Sequence, residues 1–322
     1  MKAKQLLCLI STLVFLLTGC SGISAEPTSY TGTAFDSVIA LKIYDRVDED
    51  VMNHCITMCS DFENKFSRTI ETSEIARINS AGGAPVTVSN DTLELIRQGI
   101  YYGDLSDGAF DITIGAVSRL WDFKDENPSV PMADAVTEAL SHVNYKNIII
   151  SGNTVTLKDP KAAIDVGGIA KGYIADRLKD YLKNQGVKHA LINLGGNVLA
   201  IGSKPDGTAY NIGIAKPFSE NGEYITSLEI RDKSVVTSGT YQRYFEQGGN
   251  FYHHILDPGT GYPCENDLNS VTIITDSSLA ADALSTACFV LGEEKGTELI
   301  NRLENTEAIF VNSRNQVKKA AD

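Results

Sequence analysis

Positive charge is scarce in this chain. Against 41 Asp and Glu it carries 28 Lys and Arg, for a formal net charge of −13 at pH 7. A nucleic-acid binder needs basic stripes that neutralise phosphates, so that class is set aside. No pair among its six cysteines has C-x-x-C spacing, which removes the usual zinc and dithiol arrangements. Neither G-x-x-x-x-G-K-S/T nor G-x-G-x-x-G occurs, so there is no Walker loop and no Rossmann fingerprint. Internal repeats and low-complexity segments are also absent, which excludes solenoids and long disordered tracts.

What is present begins with an export signal. Lys2 and Lys4 precede an apolar run from Leu6 to Leu17, too short for a comfortable membrane span, and Leu17-Thr-Gly-Cys20 follows. That ending resembles a bacterial lipobox, in which the cysteine is lipidated and becomes the first residue. The expectation is a signal peptide at 1–19, a lipid on Cys20, a polar tether at 20–29 and a folded domain at 30–322. Localisation would then be the extracytoplasmic face of the cell membrane, held by the lipid. Removing the signal takes away two lysines and no acid, so the charge falls from −13 to −15. About 300 residues remain, enough for one large domain. Cys55 and Cys59 lie on a helical apolar pattern with Val51, Phe62 and Phe66 and read as core. Nothing in the cysteine spacing indicates a disulfide.

The chain is organised around Ile164-Asp-Val-Gly-Gly-Ile-Ala-Lys-Gly-Tyr173. Ile164 and Val166 read as a buried strand end, Gly167 and Gly168 as a turn, and the following residues as a helix that stops near Gly186. Strand, glycines and helix N-terminus can bring backbone N–H groups against a phosphate, and Lys171 adds a positive charge there. On its own, the pattern fits a tight connection with no ligand at least as well.

Elsewhere a strand is expected over 31–44, helices over 51–66, 90–106 and 133–142, and a hairpin at 148–150 and 155–157. Further strands are expected at 189–194, 198–201, 210–214, 226–230, 234–237 and 269–275. A helix capped by Asp276 or Ser277 should end at Gly292, before a last helix and a strand at 308–311. Helices and strands alternate, with an antiparallel-rich second half, so the fold class is mixed α/β (α+β) in a single large domain.

Two further segments carry candidate chemistry. Asp282 and Thr286, four residues apart in Ala281-Asp-Ala-Leu-Ser-Thr-Ala287, share one helix face and offer oxygens to a hard cation such as magnesium. A solvated carboxylate and a hydroxyl bonded to its own helix satisfy the same spacing. His253 and His254 stand before Asp257-Pro258, where a histidine can be a general base or simply part of a surface hairpin.

Taken together, Asp107-Gly-Ala-Phe-Asp111, Ile164–Tyr173, Ala190-Leu-Ile-Asn-Leu-Gly-Gly-Asn197, Ser238-Gly-Thr-Tyr241, His254-Ile-Leu-Asp-Pro-Gly-Thr-Gly261 and Ala281–Ala287 form an ordered set. The set resembles the ApbE family of FAD:protein FMN transferases, over virtually the whole mature chain. The resemblance implies cleavage of the FAD pyrophosphate with Mg2+ and transfer of FMN to a threonine of a partner protein, with release of AMP. It implies Asp282, Thr286 and the Ala170 carbonyl at the metal, and His254 as base for the acceptor hydroxyl. It places Thr31, Thr69, Ala109, Phe110, Asp111, Asp165, Lys171 and Ile255 at the FAD. Where many members have an apolar residue before Gly-Thr near the mature start, this chain has Thr31-Gly32-Thr33. Two other readings share the sequence: an FAD pyrophosphatase releasing FMN and AMP, and a non-enzymatic flavin-binding lipoprotein. The last has no use for Asp282, Thr286 and His254 together.

Overall fold

The computed structural model describes residues 26–123, 125–219 and 221–320. The lipobox and Cys20 lie outside them. In chain order come β1 (Thr28–Ala34), β2 (Ser37–Ile43), α1 (Glu49–Phe66), α2 (Glu74–Ser80), β3 (Val86–Thr87), α3 (Asn90–Leu105), α4 (Gly115–Ser118) and α5 (Ala133–Leu140). Then follow β4 (Ile148–Ser151), β5 (Thr154–Leu157), α6 (Ala170–Asn184), β6 (Ala190–Leu194), β7 (Asn197–Ile201), β8 (Tyr210–Ala215), β9 (Tyr224–Ile230) and β10 (Ser234–Gly239). The chain closes with β11 (Tyr244–Gln247), β12 (Asn250–His253), β13 (Leu268–Thr275), α7 (Ser278–Ile300), β14 (Glu307–Asn312) and β15 (Val317–Ala320).

An eight-stranded sheet in the order β1-β2-β6-β7-β10-β13-β14-β15 forms the backbone of the fold, and its neighbours pair antiparallel throughout. Strand composition shows which parts of it are covered on both sides. In β2, Ile39, Leu41 and Ile43 are buried while Val38 is 62% exposed, the alternation of a strand with one wet face. Val235-Val236, Ile273-Ile274 and Ala308-Ile-Phe-Val311 are instead continuous apolar runs. Val236, Ile273, Ala308 and Phe310 face the main core, which they share with residues of α1, α3, α6 and α7. Val235, Ile274, Ile309 and Val311 face the other way, onto the β8–β9 hairpin through Tyr210, Ile214 and Ile230. A third, smaller cluster gathers Val117, Trp121, Ala139, Phe245 and Leu256 beneath the β11–β12 hairpin. The Trp121 indole N–H donates to the Gly261 carbonyl at 2.9 Å.

The mixed, antiparallel-rich expectation is met, with local corrections. The single strand expected over 31–44 is a hairpin, broken by Phe35 and Asp36 at φ +55° and +56°. Ser89, rather than Asn90 or Asp91, caps α3, and Asp91 binds Lys65 at 2.6 Å and the Tyr173 hydroxyl at 3.0 Å. Ile164 and Val166 are buried without being in a strand. The Asn79 side-chain amide takes the place of a strand partner, accepting from Ile164 N at 2.7 Å and donating to Ile164 O at 2.8 Å. Gly292 does interrupt the last long helix, at φ 77° and ψ 177°, with helical residues on both sides. Cys55, Cys59, Cys264 and Cys288 are buried free thiols. Among the described residues no helix is long and apolar enough to cross a membrane.

Candidate active site

The site is set by how α6 and α7 cross. A helix begins with N–H groups that lack intrahelical acceptors, and each of these helices supplies a carboxylate to the start of the other. Asp176, nearly two turns into α6, accepts from Ser278 N at 2.9 Å, Leu279 N at 3.0 Å and the Ser277 hydroxyl at 2.8 Å. Burial pushes the Asp176 carboxyl up from its ordinary range, and these three donors oppose that. In return, Asp282 of α7 accepts from Gly172 N at 2.9 Å. The approach is close enough that a Cβ on Gly172 would lie 2.3 Å from the Ser278 carbonyl oxygen. Only glycine fits there.

This crossing fixes the metal-candidate face. Asp282 is 4% exposed and its second oxygen lies 3.7 Å from the Lys171 ammonium. Thr286 Oγ1 is 3.3 Å from Ser238 Oγ, which also meets Ser285 Oγ at 2.8 Å. Ala170 is the first residue of α6. A Cβ on Gly168 would stand 3.3 Å from Thr286 Oγ1 and 3.1 Å from the Phe110 ring, so the glycine turn lies directly against both. The expected presentation of free helix N–H groups is modified here. Ala170 N donates to Val166 O at 2.9 Å and Gly172 N to Asp282, so the Lys171 side chain and the Asp282 carboxylate carry the charge of this turn.

The loop 107–115 is brought in by pairing with the segment before the turn. Asp165 N donates to Ile112 O at 2.7 Å, and a Cβ on Gly115 would fall 2.5 Å from Ala163 O. Asp111 is buried and spends its carboxylate inside the protein, accepting from Thr113 N at 2.7 Å, Thr113 Oγ1 at 2.5 Å and Tyr145 N at 3.0 Å. Burial raises its pKa, against those hydrogen bonds. Asp111 therefore frames the loop that holds Phe110 beside Gly168. Ala109, half-buried, begins the same turn.

Asp165 accepts from Gly167 N at 2.9 Å through one oxygen and from Ser118 Oγ at 2.8 Å through the other, which also lies 3.4 Å from Arg68 Nε. The Arg68 contact draws in the neighbouring Thr69, whose side chain is exposed beside Ser67 Oγ at 3.1 Å. Thr31 is exposed on β1, opposite Ala40. That hairpin approaches the site at the start of β2, where Ser37 lies against Gly195, itself beside Lys171.

The structure separates the two histidines. His253 is buried with both ring nitrogens engaged: Nε2 is 3.2 Å from Cys264 O, and Nδ1 accepts from Ile255 N at 3.3 Å. Burial lowers its pKa to about 4. His254 directs Nδ1 at Arg243 O, 3.3 Å away, which makes Nδ1 the protonated nitrogen and leaves a lone pair on Nε2. Among the described residues Nε2 has no hydrogen-bond partner. Burial first, then the positive charges of Arg243, His253 and Lys171, push the His254 pKa down to about 3. The Lys171 charge acts on His254, which therefore lies within electrostatic reach of the glycine turn. Ile255 is buried next to it.

One constellation thus joins Phe110, Asp165, Lys171, Asp282 and Thr286 at the α6 turn, with His254 within electrostatic reach of Lys171. A model of the ApbE family matches residues 35–310. The chain belongs to the ApbE family. It is 40% identical over 292 residues to an FAD:protein FMN transferase of Klebsiella pneumoniae, covering 90% of each chain. A second relative of that name, from Treponema pallidum, is 34% identical over 84% of this chain and 79% of its own. Among solved ApbE-family structures, the ApbE protein of Thermotoga maritima superposes with TM-score 0.85 at 31% identity, covering 92% of this chain and 97% of its own. The flavin transferase ApbE of Vibrio cholerae does so with TM-score 0.82 at 27% identity and the same coverage.

Sequence reasoning missed four contributors to this candidate site: Arg68, Ser118, Asp176 and Arg243. Arg68, Ser118 and Asp176 reach it through contacts distant in sequence, Arg243 reaches it across the β11–β12 hairpin, and none carries a local signal. Ser238 was within reach, since it opens the Ser238-Gly-Thr-Tyr241 motif.

Proposed function

We propose that this chain is a magnesium-dependent FAD:protein FMN transferase that attaches FMN through a phosphoester to a threonine of an extracytoplasmic partner and releases AMP. The observation that carries it is the meeting of a buried carboxylate, a hydroxyl and a lysine around one glycine turn, with a neutral histidine in electrostatic reach of that lysine, in a chain of the ApbE family.

The donor set fits magnesium. Among the described residues no group of three or more His, Cys, Asp and Glu could hold a metal. What the site offers is oxygen alone: the Asp282 carboxylate, the Thr286 hydroxyl and the Ala170 carbonyl. Magnesium accepts few protein oxygens and fills its shell with water and phosphate. When bound, it would neutralise charge on the pyrophosphate.

The protein's own groups would do the rest. Lys171 supplies a cation to the phosphates, and Phe110 and Ala109 form an apolar wall against the flavin nucleotide. Asp165, held by Gly167, Ser118 and Arg68, offers a fixed acceptor. Thr31, Thr69 and Ile255 complete the assignment at its margins, and Asp111 serves by fixing the loop. The threonine oxygen attacks the FMN phosphorus, the bond to the AMP phosphate breaks, and the hydroxyl proton passes to His254 Nε2. An imidazole with pKa about 3 is always in the accepting form near neutral pH but is a weak base. A loose phosphoryl-transfer transition state asks little of the base, so this suits it. The lipid on Cys20 would hold the domain, 30–322, at the membrane's extracytoplasmic face, where its acceptors reside. An acylated N-terminal Cys20 in the intact mass of membrane-extracted protein tests that anchor.

Incubating the soluble domain with FAD, magnesium and threonine-bearing extracytoplasmic proteins tests the activity. A covalently fluorescent protein band with matching AMP is expected. FMN and AMP in equal amounts without a labelled band would replace transfer by FAD hydrolysis, and an absence of cleavage would leave a flavin-binding protein.

A further inference from the structure

The β11–β12 hairpin is aromatic on both faces. Phe245 and Tyr252 point inward, with ring centroids 6.4 and 5.8 Å from Trp121. On the opposite face Tyr244 and Phe251 lie 4.8 Å apart and are 45% and 38% exposed. Phe218, from the connection between β8 and β9, closes over them at 5.7 Å from each ring and is itself 46% exposed. It sits at φ +57°, a conformation unfavourable for a bulky side chain. Folding alone gives no reason to gather three solvent-facing aromatics around a strained backbone. Contiguous exposed patches of this kind mark interaction surfaces, and aromatic anchors dominate protein–protein contacts.

The patch adjoins the proposed base along the chain. Phe251 lies 6.2 Å from the His253 ring, Tyr244 pairs with His253, and His254 extends the hairpin by donating from N to Arg243 O at 3.1 Å. His254 is thus one residue beyond the end of the strand that carries Phe251. We infer that Phe218, Tyr244 and Phe251 form the docking surface for the acceptor protein, which would present apolar side chains flanking its hydroxyl residue. This rests on the flavin-transfer reading above, in which the second substrate is a polypeptide and the flavin occupies the Phe110–Lys171 side.

The test compares wild-type chain with Phe251→Ser and Phe218→Ser, using whichever acceptor the wild type labels. Both side chains are exposed, so thermal melting should match wild type. The expected result is an acceptor KM raised roughly tenfold or more, with kcat and FAD affinity unchanged. Unchanged acceptor KM overturns the proposal while leaving flavin transfer standing. Weakened FAD binding in the variants overturns it by assigning the rings to the flavin. A changed oligomeric state, or lost binding to phosphatidylglycerol vesicles, with acceptor KM unaltered overturns it in favour of self-association or membrane contact. No labelling by wild type of any acceptor overturns both readings together.

Discussion

Replacing Asp282 discriminates most sharply, because the structure gives this carboxylate two separable tasks. It is proposed to hold magnesium, and it accepts the Gly172 N–H at the start of α6, 2.9 Å away, while only 4% exposed. Asp282→Ala removes both. A buried donor left without an acceptor costs about 1–3 kcal/mol. At roughly 2–4 °C per kcal/mol for a chain approaching this size, Tm should fall by about 2–12 °C without any metal present. Asp282→Asn keeps an oxygen for Gly172 and loses only the charge, so its metal-free Tm should stay much closer to wild type. The metal task is read separately. Magnesium at about 100-fold over its Kd would stabilise wild type by about 2.7 kcal/mol, and both variants should lose that increment along with transfer activity. Thermal melts with and without magnesium, beside a magnesium titration of transfer, make the comparison. If Asp282→Asn transfers FMN at the wild-type magnesium midpoint, the metal assignment is wrong. If Asp282→Ala melts like wild type without magnesium, the capping argument is wrong.

Gly172→Ala should lower stability by about 1–3 kcal/mol or more, since its Cβ would lie 2.3 Å from a backbone oxygen and the two helices would have to part; a denaturant melt measures this. His254→Ala should leave FAD affinity nearly unchanged and slow single-turnover transfer by roughly 10²- to 10⁴-fold, towards the lower end for a loose transition state. With the His254 pKa held at about 3, kcat/KM for FAD should show no acid limb near pH 6.5, and a limb there would mean the imidazole is solvated. Stability should fall as pH drops below about 6.5. Folded His253 titrates only near 4, and between those values the unfolded chain binds the proton first. Asp111 and Asp176, whose carboxyls are raised, oppose this by favouring the folded state at low pH; His253→Asn melts across pH 4–7 isolate the histidine contribution.

Much of the fold was legible because local periodicity and local chemistry agreed. Helix α1 follows from Val51, Cys55, Cys59, Phe62 and Phe66 on one stripe, and all are buried. The β4–β5 hairpin follows from two β-branched runs around Gly152-Asn153. Where expectation failed, a partner distant in sequence had decided the outcome. Ile164 reads like a strand because it is apolar and buried, but its backbone is satisfied by the side chain of Asn79, and no local pattern announces that.

The sequence by itself determined that this is an acidic, mixed α/β chain with six motifs in an order that marks the ApbE family. Those properties reside in residue types and their spacing, which survive without coordinates. Only the tertiary structure decided which of two adjacent histidines has a lone pair to offer. His253 has both nitrogens engaged, by Cys264 and Ile255, whereas His254 is oriented by the carbonyl of Arg243. Likewise, the spacing of Asp282 and Thr286 says that they share a helix face but not what that face meets. The crossing of α6 and α7, where each helix caps the other and glycine alone permits the approach, sets that carboxylate against Gly172 and Lys171. Such a site depends on contacts across some hundred residues of chain, and only folding brings them together.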